Sequence, residues 1–341
     1  MTLRHLSRLA AALALFAATL PSTAAEISGA GSTFVNPILA KWASMYREAG
    51  GTEINYASIG SGGGIAQIKA KTVTFGATDM PLKPAELDAA GLIQFPVVIG
   101  GDVPVVNIPG IQPGQLTLDG ATLADIYLGK VSYWNDAAIK KLNPNANLPA
   151  TAITVVHRSD GSGTTFIWAN YLAKVSPEWA KQVGFATSVD WPTGVGAKGN
   201  EGVAANVAQT PGSIGYVEYA YAKQNHLAYT RVVNREHQAV EPNIDSFQSA
   251  AVGADWAHAP GFYVLLTDAA GAKSWPITGS TFVLVYKKPV NPGETGEALK
   301  FFKWALEKGD AAAKSLDYVA IPEPVTKQIE ASWHQVQGAG P

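Results

Sequence analysis

Arg158-Ser159-Asp160-Gly161-Ser162-Gly163-Thr164-Thr165 places one permanent cation, two glycines and several hydroxyl side chains immediately ahead of an apolar run. The preceding Ile153-Thr154-Val155-Val156 has the β-branched density of a buried strand, and Phe166 to Leu172 carries apolar residues at helical spacing, so the stretch predicts a loop joining a strand to a helix. At such a helix start the first backbone N–H groups lack intrahelical acceptors and the dipole is positive. Glycines there let an oxyanion approach the backbone, and Arg158 would add a bidentate fork. Asp160 is placed to hold the guanidinium in one orientation while lowering the net positive charge. An ordinary Asp or Ser cap beside an unrelated surface arginine would give the same letters, so the loop alone leaves both readings open.

The same grammar recurs upstream. Ile27 to Phe34 reads as a glycine and hydroxyl loop opening a helix that starts near Val35, and Glu53-Ile54-Asn55-Tyr56 reads as a strand followed by Ile59-Gly60-Ser61-Gly62-Gly63-Gly64 and the amphipathic run Ile65 to Lys69. Gly60 to Gly64 in isolation would suit a flexible linker, but linkers do not usually fall between a strand and a helix. Thr74 to Pro81 is a short strand ending at Asp79. Ligands of open α/β sheets bind beyond the carboxyl ends of strands, so Asp79 could share a cleft with Thr33, Ser61 and Ser162. Alternatively it starts a turn or caps a helix at Glu86-Leu87.

Further along, Gln94 to Gly101 and Val103 to Asn107 read as two apolar strands interrupted by glycines, where a crossing between lobes would fit. Gly194 to Gly202 reads as a turn before a helix, without the Ser or Thr and the spacing of a nucleotide P-loop. Ile214 to Tyr219 and Thr281 to Tyr286 are strand-like, with aromatics suited to packing. Ala298 to Glu307 and Ile329 to Val336 are helical. Tyr229 to Gly271 has weak periodicity and no assigned chemistry.

The chain of 341 residues, 47% hydrophobic and 15% charged, is long enough for two domains with their own cores. A basic start, an apolar stretch from Leu9 to Leu20 and small residues to Ala25 predict a signal peptide over residues 1–25, cleaved after Ala25. With no cysteine, a lipid anchor on an N-terminal cysteine, a disulfide and a thiolate metal site are all excluded. The net charge of −2 leaves no basic footprint for nucleic acid and no polybasic membrane patch. Ser61 and Ser162 both lack the upstream glycine of a hydrolase elbow, and no HExxH occurs. His157 is expected to point away from Arg158 along a strand. No metal site and no cofactor is expected, and the loops read as binding loops.

Taken together, these residues closely resemble the phosphate-binding proteins of bacterial high-affinity phosphate ABC importers. The likeness rests on Gly29-Ala30-Gly31 with Thr33-Phe34, Tyr56 with Ile59-Gly60-Ser61, and Phe75-Gly76-Ala77 with Asp79. It continues through Phe95-Pro96 with Val98 to Gly101, Asp125 to Lys130, Arg158 with Asp160 to Thr164, Gly215 to Gln224, and Trp275 to Thr278. The resemblance implies the α/β two-lobed periplasmic solute-binding fold, each lobe a mixed sheet flanked by helices, with the ligand cleft between them. Residues 26–101 with 273–341 would form lobe 1, and 102–272 lobe 2. It also implies that Thr33, the Phe34 backbone, Ser61, Asp79, Arg158, Ser162, Gly163 and Thr164 hold phosphate, with Asp160 supporting Arg158. Ser32 stands where alanine is frequent and Gly62 where serine is frequent, and neither is carried over as a ligand. The implied protein is a periplasmic monomer without a lipid anchor that delivers inorganic phosphate to the importer's permease subunits, and it is not an enzyme.

Phosphate near neutral pH keeps a proton and sulfate does not, so a carboxylate acceptor such as Asp79 can separate them. Sites built around a hydrogen bond reject analogues lacking it by roughly 10⁴ to 10⁵. Two other readings stand beside this one. A binding protein for another tetrahedral oxyanion such as sulfate or molybdate would have no use for Asp79. An exported phosphoester hydrolase would need a metal cluster or an activated nucleophile.

Overall fold

Leu92–Val106 is a run of fifteen buried residues, and in the computed structural model, which describes residues 27–340, it forms one strand and not two. The expected signal peptide lies outside the described residues. The strands in chain order are β1 (Ile27–Gly31), β2 (Ile54–Ser58), β3 (Phe75–Thr78), β4 (Leu92–Val106), β5 (Thr117–Asp119), β6 (Thr154–Arg158), β7 (Val195–Ala197), β8 (Ser213–Glu218), β9 (Ala228–Tyr229), β10 (Arg231–Val233), β11 (Ala239–Val240), β12 (Thr278–Tyr286) and β13 (Val319–Ala320). The main sheet runs β2-β1-β3-β12-β4-β8-β6-β7, with β9 and β13 also pairing on β4, while β11-β10-β5 is a small separate sheet.

The long strand changes partners halfway. Leu92 to Gly101 pairs antiparallel with β12, and Asp102 to Val106 pairs antiparallel with β8. Pro96 has no N–H to give, and the register shifts at Thr281/Phe282 opposite it, which places the proline at a bulge where a missing donor is tolerated. Helices flank both halves of the sheet, so the architecture is the expected two-lobed α/β fold.

Aromatic packing fills each lobe. In the first, Phe302 meets Phe75 and Phe95 edge-on at 5.0 and 5.8 Å. In the second, Trp168 stacks on Tyr216 at 4.9 Å and Tyr127 packs on Trp168 at 5.1 Å.

Three local expectations need correction. Ile27 to Gly31 is a strand pairing parallel with both β2 and β3, and only Ser32 to Val35 form the loop before the helix Asn36–Glu48. Alternation was hidden because the strand is buried on both faces. Ser61 already begins the helix Ser61–Lys69, so Gly62 to Gly64 are helical residues and not a loop. Gly194 to Gly202 contains strand β7, paired parallel with β6, followed directly by the helix Gly199–Gln209.

Gly64 shows why this glycine run tolerates a poor helix propensity. A Cβ there would lie 2.5 Å from Gly31 Cα and 2.7 Å from Ala30 O, so the helix can press onto β1 only without a side chain. Gly64→Ala should therefore destabilise the protein by about 1–3 kcal/mol. Gly253→Ala, where no atom lies within 4 Å of the added methyl, should change little. Urea midpoints of the two variants check this, and equal midpoints would contradict the packing argument.

Candidate anion-binding cleft

Parallel strands carry their loops to a common edge, and four strand-to-helix turns meet there. β1 leads through Ser32 to Val35, β2 through Ile59 and Gly60, β6 through Ser159 to Ser162, and β7 through Lys198. The helices that follow begin at Asn36, Ser61, Gly163 and Gly199, so several dipole-positive ends face one region. Asp79 follows β3 at the same edge. Thr33, Ser61, Asp79, Arg158, Ser162 and Thr164 are all buried.

Asp79 is gripped by hydroxyls from three segments. Ser32 Oγ donates 2.7 Å from each carboxylate oxygen, Thr281 Oγ1 donates to Oδ1 at 2.6 Å, and Ser61 Oγ lies 3.3 Å from Oδ2. Burial raises the Asp79 pKa from the ordinary 3.8 to about 6, against the lowering effect of these hydroxyls and of Arg158. Asp79 neither starts a free turn nor caps a helix.

The second lobe closes on this carboxylate. A Cβ on Gly163 would sit 2.4 Å from both Asp79 Oδ2 and Ser61 Oγ, so the helix Gly163–Val175 starts at a distance from the first lobe that only glycine permits. Gly62 N–H donates across the lobes to Gly161 O at 2.8 Å. Ser162 caps its helix, accepting from Thr165 N at 3.0 Å, which leaves its hydroxyl hydrogen available to a ligand. The N–H groups of Gly163 and Thr164, at the first two helical positions, have no intrahelical acceptor.

Arg158 is the last residue of β6. Its Nε and Nη2 donate to the two oxygens of Asp160 at 2.7 and 2.5 Å, and Nη1 donates to Thr164 Oγ1 at 3.3 Å. Partial burial works to raise the Asp160 pKa, but the Arg158 fork and the Gly199 N–H outweigh it and hold the carboxylate below its ordinary value. Tyr216 Oη accepts the Arg158 N–H at 3.1 Å and meets Thr165 Oγ1 at 2.6 Å, which anchors the end of the strand to the helix. His157 points the other way, as expected: its ring stacks on Trp191 at 4.8 Å.

Phe34 departs from the simplest expectation. Its N–H donates to Ser32 Oγ at 3.0 Å, so Ser32 ties that backbone to Asp79. Asn200 is a further residue of the cleft that was not expected, and its Nδ2 lies 2.7 Å from Thr33 Oγ1 and 3.0 Å from Thr164 Oγ1. The signal was present, because Gly199-Asn200 repeats the strand, glycine, polar residue and helix order of the other loops. Thr281 was hidden as a threonine inside an apolar strand.

Because the folded pKa of Asp79 is raised, its stabilising contribution is complete below about pH 4 and is lost as pH rises through about 6. The loss is on the order of 3 kcal/mol. Thermal unfolding of ligand-free protein should show Asp79→Asn gaining on the parent protein between pH 4 and 7. A constant gap across that range would remove Asp79 as a strained ionisable group.

A family model described as a PBP superfamily domain matches residues 17–308. The phosphate-binding protein PstS of Pasteurella multocida is 55% identical over 314 residues, covering 92% of this chain and 91% of that protein. The protein of the same name from Haemophilus influenzae is 54% identical over 316 residues, covering 92% and 95%. Among solved structures, a phosphate-binding protein from Stenotrophomonas maltophilia aligns with a TM-score of 0.67 and 17% identity over 92% of this chain and 99% of that one, a likeness of fold. By this family model and these identities, the chain belongs to the PstS family of phosphate-binding proteins within the PBP superfamily.

Proposed function

We propose that this protein binds inorganic phosphate between its lobes in the periplasm and delivers it to the permease subunits of a phosphate ABC importer. The observation that carries this reading is one buried carboxylate, Asp79, set among hydroxyls, a guanidinium and helix-start N–H groups from both lobes. Such a cleft suits an oxyanion with one proton to give and several oxygens to be bonded. Thr33, the Phe34 backbone, Ser61, Arg158, Ser162, Gly163 and Thr164 supply the donors, and Asp79 accepts the proton. For Phe34 this requires its N–H to leave Ser32 Oγ or to share it, and for Ser61 it requires the single hydroxyl hydrogen to turn from Asp79 to the ligand.

Charge-assisted bonds contribute on the order of 1.5–3 kcal/mol each, and a micromolar site needs only about 8 kcal/mol net. The partner exchange on β4 supports lobes of 26–101 with 273–341 and of 102–272, with the crossing at Gly101 and Asp102. A removable signal peptide and a monomeric exported protein complete the proposal. Among the described residues no helix is long and apolar enough to cross a membrane.

Titration calorimetry of ligand-stripped protein should give one phosphate per chain. Arg158→Lys should weaken it by at least about tenfold, since an ammonium cannot reproduce the fork held by Asp160. Equal affinities would take Arg158 out of the site. Asp79→Asn should lower the ratio of phosphate to sulfate affinity, because the amide can turn a donor toward a fully ionised oxyanion. An unchanged ratio in a folded variant would overturn the role of Asp79, and turnover of a phosphomonoester abolished by changing Ser162 would overturn the binding-protein reading.

A further inference from the structure

Asn200 is fully buried at the start of the helix Gly199–Gln209, and all its amide hydrogens and its oxygen are assigned by their surroundings. Its Oδ1 accepts the Glu218 N–H at 2.9 Å, which fixes which end of the amide is which. The two hydrogens of Nδ2 therefore go to Thr33 Oγ1 at 2.7 Å and Thr164 Oγ1 at 3.0 Å, one residue from each lobe. Thr33 Oγ1 also receives the Asn200 backbone N–H at 3.2 Å, and Thr164 Oγ1 also receives Arg158 Nη1 at 3.3 Å.

A hydroxyl oxygen has two lone pairs and one hydrogen. In both threonines the lone pairs are each met by an N–H, so the hydroxyl hydrogen is left to be given away. We propose that Asn200 is a positioning residue that locks the hydroxyls of Thr33 and Thr164 as hydrogen-bond donors, so that the cleft presents only donors at those two places and leaves Asp79 to receive the ligand's proton. The proposal rests on the phosphate-binding reading above and adds to it the residue that sets hydrogen-bond polarity. Without Asn200 each threonine could turn its lone pairs toward the ligand, and the two lobes would lose a shared contact.

The test is calorimetry with inorganic phosphate on parent protein, Asn200→Asp, Asn200→Ala, Thr33→Val and the double variant Thr33→Val/Asn200→Ala, with circular dichroism to confirm folding. Asn200→Asp keeps the shape and the acceptor for Glu218 N–H but cannot donate, and should lose at least about 100-fold in affinity. Asn200→Ala should lose about tenfold or more. Asn200→Ala keeps the backbone N–H to Thr33 and removes one side-chain contact to Thr33 and one to Thr164, so about half of its effect runs through Thr33 and the double variant should bind within about threefold of Thr33→Val alone. A merely structural role for Asn200 would give losses that multiply in full, and that result overturns the proposal. Affinity of Asn200→Ala within twofold of the parent overturns it as well. Should Asn200→Asp fail to fold, the alanine cycle decides. Failure of the parent protein itself to bind phosphate would instead reject the phosphate-binding reading.

Discussion

A carboxylate taken out of water must find donors or lose its charge, and most of this fold can be read as the means of supplying donors to Asp79. Ser32, Ser61 and Thr281 belong to segments far apart in sequence. They reach one side chain because β1, β3 and β12 are adjacent in the sheet and because the helix Ser61–Lys69 crosses β1 at glycine distance. Even so, burial prevails over the donors and lifts the pKa to about 6. That residual strain fits a group whose remaining lone pairs are to be met by a protonated ligand.

Arg158 obeys the opposite constraint. A buried guanidinium needs an anion, and Asp160 satisfies it through a two-pronged contact, so the pair adds almost no net charge to the cleft. What remains to attract an oxyanion is a set of fixed dipoles, namely helix-start N–H groups and oriented hydroxyls. A site of this kind works at short range and asks nothing of the protein's overall charge, in keeping with a net charge of −2. Glycine at 163 is then a requirement of approach, because any side chain would hold the second lobe away from Asp79.

Much of this was legible in the order of residue types. The loops at Ser61 and Ser162 announce themselves by small and hydroxyl residues between a strand-like run and a helical one, the loop at Thr33 by such residues ahead of a helical run, and Asp79 by its place at a strand end. The other residues of the site are hidden for different reasons. Ser32 looked like a neutral replacement until Asp79 was seen facing it, and Thr281 sits in an apolar strand whose register alone brings it to the carboxylate. Asn200 stands in a stretch with the same order of residue types, but a comparison with nucleotide loops alone gives it no role, and its contacts across the cleft show only in the fold. The single strand β4 was read as two because its glycines resembled breaks. In fact the rings of Phe34 and Phe247 occupy the space that side chains on Gly100 and Gly101 would need.

The crossing between lobes carries its own proton logic, and it reaches the first ligand loop. Tyr318 Oη has one hydrogen, yet it lies 2.6 Å from Phe34 O and 2.7 Å from Glu218 Oε2. A carbonyl can only accept, so while Glu218 is ionised the one hydrogen is divided between the two oxygens, and a proton on Glu218 would free it for Phe34 O alone. Burial, followed by the nearby Asp317 and Asp79, pushes Glu218 well above the ordinary carboxyl range, against the donors Tyr318 and Ala220 N–H. Asp102, paired with Glu218 across β4 and β8, is pushed up by burial and then by Glu218 itself. Two carboxyls face each other where β4 changes partners, and a proton on either one spares them mutual repulsion. Through that tyrosine the end of β8 is tied to the Phe34 carbonyl, one peptide unit beyond Thr33, so the position of the first loop depends on the same strands that join the lobes.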